Sequence, residues 1–98
     1  MNIGAALKEI RLKKFPKEKV KQYEIAERIG ITQTYLSQIE SGTKVPAYEV
    51  VEKICKVYKV PYAVLVWHSL EEKDIQKSKL DAYRKLRPVI DSMIQNFI

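Results

Sequence analysis

The sequence predicts an all-α fold, with a five-helix domain over residues 1–69 and a helical extension over residues 70–98. Three features carry that expectation. Ile3, Leu7 and Ile10 stand at i, i+4 and i+7, the spacing of one helix face. Glycines and capping residues then punctuate the chain, first Gly30 with Thr32 and later Gly42 with Pro46. Toward the end, Tyr83, Leu86, Ile90, Met93, Ile94 and Phe97 fall in one stripe on a helical projection. The chain has 98 residues, 46% hydrophobic and 31% charged, which suits one ordinary folded domain with a short appendage.

The first helix runs from Ile3 to about Lys14. Pro16 stops it by Phe15, because a proline disfavours helical backbone in the residue before it. Phe15 and Val20 are expected to tuck against the core and anchor the link that follows. Between Lys8 and Lys21 stand seven basic and two acidic residues. That cluster reads either as a phosphate-contacting arm or as a solvated lysine face. The second helix, Gln22 to Ile29, has its apolar face at Ile25, Ala26 and Ile29. Gly30 ends it, since glycine accepts a positive φ without steric cost.

Thr32 is placed to cap the third helix, Gln33 to Glu40, by accepting from the amides of its first turn. Leu36 and Ile39 point inward, leaving Gln33, Thr34, Ser37 and Gln38 on the free face. Amides and hydroxyls there suit base edges and phosphates. Gln33 is the best candidate for a bidentate contact to an adenine edge, and Gln38 is the second base reader. Thr34 suits a thymine methyl or a phosphate. Tyr35 reaches the backbone or packs beside the fourth helix.

The loop from Ser41 to Pro46 leaves the third helix, with Gly42 as its C-cap and Pro46 in the first turn of the fourth. Thr43 and Lys44 are placed for phosphates. The fourth helix, about Ala47 to Tyr58, buries Val50, Val51, Ile54, Cys55 and either Val57 or Tyr58. A fifth runs from Tyr62 to about Leu70 and has more apolar surface, at Val66 and Trp67, than five helices can bury. Beyond it, Asp74 can cap a helix from about Ile75 to Leu86, and Pro88 can open another that ends near Phe97. One kinked helix is the competing reading. Pro88, Asp91 and Gln95 lie off the apolar stripe. The stripe, with Trp67, is expected to pack on the fifth helix, on a second subunit, or on both.

The formal net charge is +6. Residues 1–69 carry 12 basic and 7 acidic side chains and residues 70–98 carry 6 and 5, so the surplus lies in the first part. A polyanion-binding surface requires that placement. Cys55 is the single cysteine, which excludes an internal disulfide. There is no basic start followed by an apolar run and no stretch of membrane-spanning length, so a cytoplasmic protein is expected. Paired carboxylates, a glycine-rich phosphate loop and a metal-ligand cluster are all missing, which argues against an enzyme and against a cofactor. His68, the only histidine, reads as a surface or interface residue.

Residues 3 to 67 resemble the DNA-binding domain of the phage repressor and Cro superfamily, the XRE-type helix-turn-helix regulators. The resemblance is carried by Gln22, Ala26, Gly30, Thr32, the run Tyr35-Leu36-Ser37-Gln38-Ile39-Glu40-Ser41-Gly42, and Pro46, in residue type and in spacing. It implies an ion pair between Arg11 and Glu40, and a Gln22 that braces both a phosphate and Gln33. A small buried residue is implied at Cys55. The chain departs from the family in its link between the first two helices, which is longer by about four residues and brings Lys19 and Lys21. The extension is more loosely similar to C-terminal segments of small XRE-type regulators.

The resemblance implies a sequence-specific, double-stranded DNA-binding transcriptional regulator, simplest as a repressor, acting as a homodimer. Its base-reading residues would be Gln33, Thr34, Ser37 and Gln38. Its phosphate contacts would be Gln22, Thr32, Tyr35, Thr43, Lys44, Lys19 and Lys21. The rival is an antitoxin-type module, whose C-terminal helices bind a partner protein while the N-terminal part binds operator DNA.

Overall fold

A computed structural model describes all 98 residues, which form six α-helices and no strand. These are α1 (Ile3–Lys14), α2 (Gln22–Ile29), α3 (Gln33–Ser41), α4 (Tyr48–Tyr58), α5 (Tyr62–Ser69) and α6 (Leu80–Ile94). The first five share one core. Leu7 and Ile10 of α1 meet Ile25 of α2, Leu36 and Ile39 of α3, Ile54 and Tyr58 of α4, and Leu65 of α5, all with almost no solvent contact. Each such side chain stabilises the fold by about 1.5–3 kcal/mol relative to exposure.

α1 and α3 pack most intimately, and Gly4 permits it. A Cβ there would overlap the carbonyl oxygen of Ile39, so the two backbones come closer than any side chain allows. The start of α1 is fixed twice over. Asn2 Oδ1 accepts from the Ala5 amide at 3.0 Å, and the Asn2 amide donates to the Ser69 carbonyl at 2.9 Å, tying α1 to the end of α5. Phe15 and Val20 are half-buried against the core, Phe15 meeting Tyr58 edge-on at 5.8 Å. α2 and α3 end on left-handed glycines, Gly30 at φ 91° and Gly42 at φ 82°. Pro46 is not in the first turn of α4. Ala47, extended at ψ 155°, is the N-cap, and Pro46 lies one residue outside it.

The extension departs from its expected form. Asp74 caps no helix from Ile75; it closes a 3-10 turn at Glu72–Asp74, where its carboxylate accepts the Glu71 amide at 2.9 Å. A second 3-10 turn, Lys77–Lys79, leads into α6, which continues through Pro88 as one helix. Proline removes one intrahelical bond, yet α6 is held from outside by its neighbouring residue. Arg87 Nη1 donates to the Trp67 carbonyl at 2.9 Å, to the Leu70 carbonyl at 3.3 Å and to the Tyr83 hydroxyl at 2.8 Å. It thereby adds a second donor to the Trp67 carbonyl, which already accepts the Leu70 amide at 3.1 Å, and ties the end of α5 to α6, while its guanidinium lies 5.2 Å from the Trp67 ring centroid.

Consequently the stripe divides. Tyr83, Ile90 and Ile94 face the domain with Trp67, whereas Leu86, Met93 and Phe97 stay exposed. Asp91 and Gln95 do not lie away from the packed face. Asp91 Oδ1 accepts from Trp67 Nε1 at 3.0 Å, and Gln95 Oε1 accepts from Lys13 Nζ at 2.7 Å. Beside the apolar contacts of Ile90 and Ile94, a polar clasp centred on Arg87 docks α6.

Candidate nucleic-acid interface

The corner between α2 and α3 sets the direction of α3. Gly30 turns the chain in the left-handed region, and Thr32 Oγ1 accepts the Tyr35 amide at 3.0 Å, capping the new helix. Leu36 and Ile39 anchor its inner side. Gln33, Thr34 and Ser37 are exposed on the outer side, while Gln38 is half-buried. Tyr35 is half-buried against the core, a packing residue at the edge of the face. Ser41, which sequence reasoning passed over, is exposed one turn beyond Ser37 on the same side. Its i+4 spacing from Ser37 was the available signal.

A buried ion pair stands behind this face. Arg11 Nε and Nη2 donate to the two carboxylate oxygens of Glu40 at 2.6 and 2.8 Å, with both side chains almost fully enclosed. The hydrogen bond to Glu40 raises the guanidinium pKa above its ordinary value, against the opposing effect of burial. Between Glu27 and Glu49 the chain has no other acid than Glu40. With Arg11 neutralising it, α3 and both its flanking turns present no net negative charge to a polyanion. The Tyr58 hydroxyl is buried without a hydrogen-bond partner, and burial, more than the nearby Glu40 charge, pushes its pKa up.

Gln22 connects the ion pair to the outer face. Its Nε2 donates to Glu40 Oε1 at 3.2 Å, and its Oε1 accepts from Gln33 Nε2 at 3.3 Å and from Ser37 Oγ at 3.0 Å. One amide at the start of α2 thus orients the first two turns of α3. On the other flank, Ser41 Oγ lies 2.8 Å from Thr43 Oγ1, and the Lys44 amide donates to the Gln38 carbonyl at 3.1 Å, folding the loop back on the helix end. The Lys44 side chain is exposed, as are Lys19 and Lys21.

Other candidates for chemistry lie elsewhere. Cys55 is buried, and desolvation raises its thiol pKa. His68 Nε2 lies 3.0 Å from Glu9 Oε2, joining α5 to α1. No three His, Cys, Asp or Glu side chains are grouped so that they could hold a metal ion, and no helix is long and apolar enough to cross a membrane.

A short capped helix that presents amides and hydroxyls, with its one carboxylate neutralised from behind, defines a DNA-binding regulator of the helix-turn-helix class. A family model described as helix-turn-helix matches residues 7–65, and the chain belongs to that family, in its XRE-type form. Comparison with curated proteins and with solved structures gave no match.

Proposed function

We propose that this regulator reads a specific duplex sequence as a homodimer and represses transcription from it in the cytoplasm. The observation that carries this reading is the uncharged polar face of α3, held in place by Gln22 and the Arg11–Glu40 pair. In this reading α3 enters the major groove. Gln33 offers its amide to an adenine edge; Thr34, Ser37 and Gln38 meet neighbouring bases. Gln22, Thr32, Thr43 and Lys44 hold the phosphates on either side of the groove, with Lys19 and Lys21 on the longer link and Tyr35 at the helix edge. One correct amide-to-base pair discriminates by about 1–3 kcal/mol, so a single half-site gives a short recognition sequence. A dimer places a second α3 about 34 Å away and doubles it.

The exposed row on α6 supports a paired state. Leu86, Val89 and Met93 remain 48%, 57% and 60% exposed on one face of α6, and Phe97, in the turn just beyond it, is 44% exposed. An antitoxin-type module, whose C-terminal region holds a different protein, would use the same row. Selection of bound sequences from random duplex DNA, with sedimentation equilibrium of the free protein, tests the reading. A two-fold symmetric site and a dimer mass, reduced to a monomer by Met93→Asp, are expected. Absence of any enriched sequence contradicts sequence-specific binding, and a monomer in the unmodified protein contradicts the homodimer in favour of a partner protein.

A further inference from the structure

A groove of about 790 Å³ opens beside α3, between α1 and the link that joins α1 to α2. Its floor includes Gln22, Ser37 and Ser41, so it is continuous with the face already described. Its walls carry Lys8 from α1 and Lys17 and Lys21 from the link. None of these three ammonium groups is ion-paired, and Glu18 is the one acid in the walls beyond the neutralised Glu40. Leu12, an exposed apolar side chain, lies among them. Lysines with a small apolar surface between them match a sugar–phosphate strand, whose charge repeats while its deoxyriboses do not carry any.

The link that makes the outer wall is held rigidly. Phe15 and Val20 are seated against the core at its two ends, and the amides of Lys19 and Val20 both donate to the Pro16 carbonyl, at 2.8 and 3.0 Å. A wall ordered before binding loses little freedom when it meets its partner. Lys19, although on the same link, does not line the groove.

We propose that this groove holds one strand of the duplex where it leaves the major groove occupied by α3, with Lys8, Lys17 and Lys21 each meeting a phosphate. The longer link is then a clamp that extends the contact beyond the half-site read by α3. This inference rests on the DNA-binding orientation proposed above. It adds Lys8 and Lys17 to the contact surface and leaves Lys19 outside the clamp.

The test compares two triple variants of the full chain on one duplex selected by the unmodified protein. Lys8→Gln, Lys17→Gln and Lys21→Gln together neutralise the groove. Lys73→Gln, Lys77→Gln and Lys79→Gln together remove the same charge from the segment after α5. All six lysines are exposed, so both variants fold. Each lost phosphate contact lowers the salt slope by about 0.9. The groove variant should therefore lose about 2.7 of slope for each bound protomer, about 5.4 for the dimer on a two-fold site, and ethylation of the flanking phosphates should cease to interfere with its binding. Its preferred base sequence should not change. The control variant should keep slope and interference pattern. Equal slopes for the two variants overturn the clamp while leaving the α3 reading intact; failure of the unmodified chain to select any duplex overturns both.

Discussion

Glu40→Gln separates the structural duty of the buried ion pair from its duty at the interface. In the folded chain the Arg11 guanidinium makes two short bonds to one carboxylate, at 2.6 and 2.8 Å, in a nearly solvent-free setting. A glutamine retains one acceptor oxygen but turns a donor toward the other guanidinium nitrogen, leaving a buried cation without its counter-charge. Breaking such a pair from one side costs about 3–5 kcal/mol, a large part of the ~5–15 kcal/mol that holds a domain together. At about 4–8 °C per kcal/mol for a domain of this size, the melting temperature should fall by more than about 12 °C. Urea denaturation followed by circular dichroism gives the free energy directly. Replacing both partners, Arg11→Met with Glu40→Leu, removes the uncompensated charge and should recover most of the loss. DNA affinity should not recover with it, because Gln22 Nε2 has lost the acceptor that holds it, and Gln22 orients Gln33 and Ser37. If Glu40→Gln unfolds within about 0.5 kcal/mol of the unmodified protein, the scale of an ordinary surface substitution, the pair is not the support described here.

Gly4→Ala should destabilise by about 2 kcal/mol, since a Cβ against the backbone carbonyl of Ile39 puts overpacking at the upper end of about 1–3 kcal/mol and improved helix propensity returns about 1 kcal/mol. An equal or higher urea midpoint would show that α1 and α3 can separate freely at Ile39. The Glu72 carboxyl, held below its ordinary pKa chiefly by its hydrogen bond from Arg84, is a pH prediction. Because its folded value is the lower one, its contribution is present above the unfolded value and disappears as pH falls through the folded value. Carboxyl NMR titration should show Glu72 returning to the ordinary range in Arg84→Ala; an unmoved midpoint would rule out that pair as the cause. Arg87→Met should release α6 from α5, seen as faster amide exchange along residues 80–94. Exchange unchanged there would assign the docking of α6 to Ile90 and Ile94 instead.

The helices of the first part were legible because each rests on local rules. Gly30 and Gly42 end α2 and α3 at positive φ, Thr32 caps α3, and the apolar residues keep helical period. The orientation of Gln33 was harder to see, since it depends on Gln22, eleven residues earlier, a relation that only the family resemblance implied. Gly4 gave no local sign of its purpose, because the carbonyl it makes room for lies in another helix. The extension was legible as a helix packing on Trp67, and as one helix only in the competing reading, but its packed face was drawn wrongly at Asp91 and Gln95. Its apolar stripe is real, but Arg87 and Asp91 win the packed face through hydrogen bonds to Trp67 and to the end of α5. A hydrophobic projection assigns no value to such bonds. The groove beside α3 was half legible, as a basic link, and needed the fold to show which of its lysines share a wall.

The most direct trial of α3 as the reading element is parallel selection from random duplex DNA by the unmodified chain and by Gln33→Ala. The account predicts that the variant loses preference at one base position in each half-site and keeps the others. The same ranking of sequences from both proteins, or a uniform fall in affinity across every position, would contradict it.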